Sequence, residues 1–274
     1  MMWHRHFKTM LLRAVALIWA ITLSLTEHPL NTFANTSLSR SPAFLAHPWR
    51  VGIDYPLLIK IPLSMNLSSL YHHITLAPHE SFILTRLTDH EFALRPRGFW
   101  PGSTLIRCTL STPRGVVETV FDTDDGKILR VSLSTQSMEA YEGGTLVRVM
   151  PVSTGTAPNW TTPQGTFYIY RRVLDDHMRG GTPGTQDTWD VSHVPYAQYI
   201  YKAVAIHGAW WNHHFGIPRS HGCIQLSTKI HNSHPATVVD NAKWVWNFTD
   251  IGTPVIISGQ TPPDPARVLP YPEE

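Results

Sequence analysis

Proline and glycine interrupt this chain so often that long helices have little room in it. There are 22 prolines and 17 glycines in 274 residues, and a proline inside a helix removes a hydrogen bond and collides with the preceding turn. Short apolar runs bounded by turn residues are what remain, and such runs read as strands. Charged residues make up 15% of the chain, against roughly a quarter in ordinary domains, while a hydrophobic share of 42% is enough to fill a core. A disordered chain and a coiled coil are thereby excluded, and a mainly β fold with ordered loops is expected. The formal net charge of +2 comes without a concentrated basic patch, so no nucleic-acid partner is expected.

The N-terminal segment MMWHRHFKTMLLR carries Arg5, Lys8 and Arg13 and no acid, and residues 14–25 are a largely apolar run without a charge. A basic stretch before an apolar run of this length has the form of an export signal. It is short of the about 20 apolar residues that span a bilayer. Thr32-Phe33-Ala34 is a candidate cleavage site. Residues 1–34 are therefore expected to be a signal peptide or an uncleaved anchor. The protein is expected to be exported, with membrane contact only through this segment. Residues 35–50 read as a linker.

From residue 51 to 124, runs such as Phe82-Ile83-Leu84, Glu91-Phe92-Ala93-Leu94, Thr104-Leu105-Ile106-Arg107 and Val116-Val117-Glu118-Thr119-Val120 predict a small β-sandwich. With Phe99-Trp100-Pro101-Gly102 and the strand after it, this stretch resembles the bacterial immunoglobulin-like modules that precede wall-modifying enzymes. Asp122-Thr123-Asp124-Asp125-Gly126 predicts a solvated turn between domains. It lacks the remaining ligands of an EF-hand loop.

Residues 127–258 predict a second domain. Leu129, Val131 and Leu133 alternate with polar residues, Gly143-Gly144 closes a hairpin, and residues 166–170 form a further strand. Residues 174–199 show little periodicity and predict a long irregular loop. Residues 240–248 carry helical spacing behind a capping Asp240, and Thr253-Pro254-Val255-Ile256-Ile257 predicts a closing strand. Residues 259–274 form a proline-rich tail.

The densest chemistry lies in residues 207–226, HGAWWNHHFGIPRSHGCIQL. Three readings compete. His207, His213, His214, His221 and Cys223 include enough zinc-type ligands for a metal site, but their spacing matches no familiar ligand pattern and no glutamate accompanies them. A disulfide from Cys223 to the only other cysteine, Cys108, would join the two domains. The third reading makes Cys223 a nucleophile and His207 its base. A thiol is mostly protonated at neutral pH, and a nearby imidazole can take its proton. Gly222 beside Cys223 opens room for a substrate and frees backbone donors for a developing oxyanion. For His213 and His214 alone, exposed loop positions are the simpler reading.

His207-Gly208, a loop, then Ser220-His221-Gly222-Cys223-Ile224 resembles the signature of the L,D-transpeptidase catalytic domain. Residues 131–136, Tyr141, Gly143-Gly144, Val152-Ser153-Thr154-Gly155, Thr162-Pro163-Gln164-Gly165-Thr166-Phe167, Val194-Pro195-Tyr196 and Gly252-Thr253-Pro254-Val255 are similar to that family's other blocks, in its order. Two departures stand out: Gln225 where arginine or asparagine is usual, and residues 228–239, which look like an inserted surface loop. The resemblance implies that Cys223 is the nucleophile and His207 the base, oriented by the carbonyl of Gly208. It implies an oxyanion site from backbone groups at His221, Gly222 and Cys223, and a turn held by Ser220 and the side chain of His221. It makes residues 174–199 a lid, with Met178, Trp189, Tyr196, Trp211, Ser220 and Gln225 as substrate contacts.

The activity so implied is formation of 3→3 cross-links between peptidoglycan stem peptides, through a cysteinyl thioester and with release of D-alanine. It needs no metal or organic cofactor, takes stem peptides as donor and acceptor, and is open to carbapenem-type β-lactams as inhibitors. An L,D-carboxypeptidase would use water in place of the acceptor amine. A non-catalytic wall-binding protein would keep the fold without the chemistry.

Overall fold

The structure, a computed structural model, describes residues 42–61, 66–113, 115–182, 184–185, 188–230 and 239–263. The expected signal, the start of the linker, most of the expected insertion and the end of the tail lie outside the described residues. The chain is mainly β, as its punctuation predicts.

The first part holds β1 (Ala43–Phe44), β2 (Arg50–Val51), β3 (Leu57–Lys60), helix α1 (Leu67–His72), β4 (Ile74–Ala77), β5 (Phe82–Arg86), β6 (Glu91–Pro96), β7 (Leu105–Thr112) and β8 (Gly115–Thr123). Two four-stranded sheets, β1-β3-β6-β5 and β2-β8-β7-β4, close on one core. Strand β7 shows how the sequence selects its face: Ile106, Cys108 and Leu110 are sealed while their neighbours point outward. Trp100 fills the centre of this core, its Nε1 donating to the Tyr55 carbonyl at 2.9 Å. Cys108 is a free thiol within the sandwich and Cys223 a free thiol in the second domain, so neither forms a disulfide. The expected linker needs correcting. Its described portion supplies β1 and the first residue of β2, because Phe44 and Val51 are drawn onto the sandwich core.

The second part holds β9 (Ile128–Ser132), β10 (Ser137–Glu142), β11 (Thr145–Pro151), β12 (Gly165–Tyr168), β13 (Arg171–Gly180), β14 (Trp189–Tyr201), β15 (Val204–Gly208), β16 (Ile224–Leu226), helix α2 (Asn241–Phe248) and β17 (Pro254–Ser258). They form a five-stranded sheet, β11-β10-β9-β17-β12, and a four-stranded one, β13-β14-β15-β16. Leu129, Val131 and Val255 of the first sheet share a core with Ile206, Ile224 and Leu226 of the second and Val245 of α2. Asp240 caps α2 by accepting from the Lys243 N–H at 3.0 Å.

Residues 174–199 are not irregular. Residues 174–180 and 189–199 belong to a long antiparallel pair, β13 and β14. The alternation that would have announced it is broken twice, by positive φ at His193 (56°) and Tyr196 (59°). The buried aliphatic residues of β14 are therefore Val191, Val194, Ala197 and Ile200, three apart instead of two, with Pro195 and Gln198 buried beside them. A register shift between Asp176 and Met178 disturbs the other strand.

The expected solvated turn is also a seam. Thr123 and Asp124 are fully buried there. Asp124 Oδ1 accepts from the N–H groups of Gly126 (3.0 Å) and Lys127 (3.1 Å), while Oδ2 is buried without a partner. Burial pushes the Asp124 carboxyl up to about 6, against the opposing pull of those N–H groups and Lys127. Backbone bonds from Gly52 N–H to Ile251 O (2.7 Å) and Asp54 N–H to Gly252 O (2.9 Å) extend the seam. The approach is so close that a Cβ on Gly52 would stand 2.0 Å from the Thr253 nitrogen.

Candidate active site

Strand β15 is apolar and almost wholly buried, which fixes His207, only 3% exposed, at its C-terminal end. It pairs in parallel with β16, setting His207 opposite Gln225 and Ile206 opposite Ile224. Cys223 immediately precedes β16. Because side chains alternate along a strand, Cys223 and Gln225 share a face, and it is the face on which His207 projects. All three line one cleft of about 150 Å³.

His207 Nδ1 lies 2.9 Å from the carbonyl oxygen of Gly208. A carbonyl only accepts, so Nδ1 carries the hydrogen and Nε2 keeps its lone pair as a base. Burial lowers the imidazole to about 4, opposed by the bond to Gly208 and the charge of Asp176. The Cys223 thiol rests against the turn between β14 and β15. It donates to Ala203 O at 3.8 Å and accepts from Ala205 N–H at 3.5 Å. Burial raises it to about 11, with the Ala205 N–H working the other way. At neutral pH the pair is a thiol beside a neutral imidazole.

The turn carrying Cys223 is braced by residues far away in sequence. Ser220 Oγ donates to the Cys223 carbonyl at 2.5 Å and accepts from the Gly222 N–H at 3.1 Å. Gly222 has φ of +121°, a backbone conformation that favours glycine. Its carbonyl accepts from Thr162 Oγ1 at 2.8 Å, and that oxygen accepts from Gly155 N–H at 2.9 Å. Residues 153 and 155 form bridges to Gln225 and Ser220. Beneath them Gln136 Nε2 donates to Thr154 Oγ1 (2.7 Å), and Thr154 N–H donates back to Gln136 Oε1 (2.8 Å).

Met178 and Trp189 reach the cleft from the hairpin, and Trp211 from the loop after β15, where its ring lies 5.9 Å from that of His207. His221 also lines the cleft. Its ring packs between Trp189, stacked at 4.3 Å, and Trp160, edge-on at 4.6 Å.

Three expectations change. Tyr196 is not a cleft residue: positive φ turns it toward α2, where it meets Trp246 at 5.9 Å. Ser220 is 1% exposed and engaged within the turn, so it braces the backbone at Cys223 and does not line the cleft. The Gly222 N–H is committed to Ser220, which removes it from the expected oxyanion donors. His213 and His214 are exposed. Among the described residues no three His, Cys, Asp or Glu side chains converge on a metal position. Sequence reasoning missed Trp160, Gly155, Thr162 and Asn212 as parts of the site. The Val152-Ser153-Thr154-Gly155 and Thr162-Pro163-Gln164-Gly165 blocks were the available signal for two of them.

Residues 126–257 match the family model described as the L,D-transpeptidase catalytic domain. L,D-transpeptidase 1 of Mycobacterium tuberculosis is 29% identical over 172 residues, covering 60% of this chain and 61% of that protein. The chain thus spans about three fifths of the length of that relative. An L,D-transpeptidase from Mycobacterium smegmatis superposes with a TM-score of 0.66 at 22% identity, over 78% of this chain and 95% of its own. L,D-transpeptidase 3 of Mycobacterium tuberculosis, solved in complex with a faropenem-derived adduct, gives 0.65 at 22% identity, over 81% and 99%. At these identities the structural likeness speaks for the fold.

Proposed function

Residues 126–257 are an L,D-transpeptidase catalytic domain, and from that premise we propose that this protein forms 3→3 cross-links in peptidoglycan by acyl transfer through Cys223. One observation carries the reading. His207 donates through Nδ1 to Gly208 O, which leaves Nε2 as a base in the cleft that also holds the Cys223 thiol.

The steps follow from that arrangement. A donor stem tetrapeptide places the carbonyl of its third residue against Sγ. The thiol proton leaves its weak contact with Ala203 O and passes to His207 Nε2 as the sulfur–carbon bond forms. The Cys223 N–H lies beside the growing oxyanion. Collapse breaks the carbon–nitrogen bond to D-alanine, whose nitrogen takes the proton from His207, and a thioester remains. The side-chain amine of a diamino acid on a second stem then attacks, giving its proton to His207. The sulfur–carbon bond breaks, and the proton returns to sulfur. Two moderate barriers replace one high one.

The two half-reactions need export to the compartment where stem peptides occur, which agrees with the signal-like residues 1–34. The two-sheet sandwich with its buried Trp100 supports an immunoglobulin-like module ahead of the catalytic domain. Carbapenem-type β-lactams are proposed to acylate Cys223, a reading supported by the adduct that faropenem, a β-lactam of the related penem class, gives with L,D-transpeptidase 3 of Mycobacterium tuberculosis. The test is incubation of the purified protein with a disaccharide-tetrapeptide and mass spectrometry of the products, with Cys223→Ala as control. A cross-linked dimer plus D-alanine is expected. Tripeptide and D-alanine alone would replace the reading with the carboxypeptidase, and unchanged products from Cys223→Ala would remove the nucleophile.

A further inference from the structure

The polarity of one side-chain amide in the cleft is dictated by a main-chain N–H two residues along a different loop. The His214 N–H donates to Asn212 Oδ1 at 2.9 Å. A main-chain N–H can only donate, so the other end of the Asn212 amide must be its nitrogen. That Nδ2 donates to Ser153 Oγ and to Gln225 Oε1, each at 3.0 Å. Gln225 is therefore obliged to turn its oxygen toward Asn212 and its Nε2 away.

Gln225 has little freedom to do otherwise. It is 2% exposed, and its backbone is clamped to Ser153 by bonds of 2.8 and 3.1 Å and paired in parallel with His207. Nε2 has no acceptor among the described residues, yet it is not one of the sealed unpartnered atoms, and the residue opens on the cleft between His207 and Cys223. A group held this way offers N–H donors and nothing else. It meets an oxygen well and an ammonium badly.

We propose that Gln225 reads an oxygen of the acyl donor, a peptide carbonyl or a terminal carboxylate, and that Asn212 is the positioning residue that keeps its Nε2 facing the substrate. The proposal rests on the reading of Cys223 as the acylated nucleophile. It adds a polarity filter: the donor stem presents oxygens to this wall, whereas an acceptor stem whose side-chain amine is still protonated finds donor facing donor there.

The experiment follows thioester formation on Cys223 by intact mass with a synthetic stem tetrapeptide. Each rate is divided by that variant's rate of alkylation by iodoacetamide, which reports the thiol itself. Asn212→Asp keeps an oxygen for the His214 N–H but replaces Nδ2 with an acceptor, so Gln225 turns over and shows its oxygen to the cleft without being mutated. Normalised acylation is expected to fall more than about tenfold in Asn212→Asp and about fivefold in Gln225→Met. In the double variant Asn212→Asp adds nothing to Gln225→Met. Gln225→Glu also presents an oxygen and carries the same expectation as Asn212→Asp should that variant fail to fold. A tetrapeptide with a terminal carboxamide separates the two sources. Losses confined to the free acid identify the terminal carboxylate, and losses shared by both identify a main-chain carbonyl. Wild-type ratios in Asn212→Asp or Gln225→Glu, or additive losses in the double variant, would overturn the proposal. A wild-type protein that forms no thioester overturns the assignment of Cys223 instead.

Discussion

The imidazole of His221 lies flat on the indole of Trp189, ring centroids 4.3 Å apart and planes inclined by 26°. One ring belongs to the turn that carries Cys223 and the other to the end of the β13–β14 hairpin. The hairpin thus touches the Cys223 turn directly. Trp189 is itself held flat by the strand opposite, where a Cβ on Gly180 would stand 2.3 Å from its ring.

Trp189→Ala separates two effects of that contact. The indole helps keep water from Sγ, and burial is what raises the Cys223 thiol to about 11 from 9.0. Opening the cleft lets the thiol fall toward 9.0, so alkylation by iodoacetamide at pH 7.5 becomes faster. Acylation by a stem peptide becomes slower, by about tenfold, because the wall and its stacking are lost. Rates for both reagents on one preparation check this, and a change of the same sign for both would count against it.

The pH dependence of acylation follows from the resting pair. His207 is neutral above about 4 and Cys223 protonated below about 11. The imidazole must be neutral to accept the proton, so kcat/KM is lost only as pH falls through about 4. The thiol must start protonated for His207 to matter, so base-assisted attack persists until pH approaches 11. A profile nearly flat from about pH 5 to about pH 9 is expected. A limb with its midpoint near 6.5 would mean that substrate-free His207 is solvated. Absorbance at 240 nm should show no thiolate at pH 7.

Gly155 tests the brace behind the turn. A Cβ there would sit 1.8 Å from the Trp160 carbonyl oxygen and 2.8 Å from Gly222 Cα. Both neighbours are backbone, so neither can step aside cheaply. Gly155→Ala should cost about 2–3 kcal/mol and lower Tm by about 5–10 °C, with loss of thioester formation even in the fraction that stays folded. Gly98→Ala, where nothing lies within 4 Å, serves as the control and should leave Tm within about 1 °C. Differential scanning fluorimetry decides.

What could be read in the sequence was local. Val131 and Ile106 announce their strands because each lies within an unbroken alternation. His207 and Cys223 declare themselves because a strand end and a glycine turn place chemistry within a few residues. Tyr196 and the hairpin around it were misread because two residues at positive φ invert the faces, and no pattern of residue types marks that. Trp160, Thr162 and Asn212 reach the site through contacts with Gly222, His221 and Gln225 that only the folded sheet order creates. Asp124 looked solvated because acids in a glycine-ended turn usually are.

Asp124 makes the seam between the two domains sensitive to pH. Its carboxyl titrates at about 6 in the folded chain against 3.8 for the free group, with burial the main cause. Below pH 3.8 it is protonated in both states and contributes no difference. Between there and about 6 the unfolded chain releases its proton and the folded chain does not, so stability falls as pH rises. Above about 6 the loss is complete, on the order of 2–3 kcal/mol. Asp124→Asn keeps Oδ1 as acceptor for Gly126 and Lys127 and removes the charge that burial penalises. It should raise Tm by several degrees at pH 7.5, by about nothing at pH 4, and remove this residue's share of the slope between. Paired denaturation curves of wild type and Asp124→Asn across that range measure the difference directly. A variant less stable at pH 7.5 would mean that the carboxylate is paired in solution, and the seam would then be held by its charge and not in spite of it.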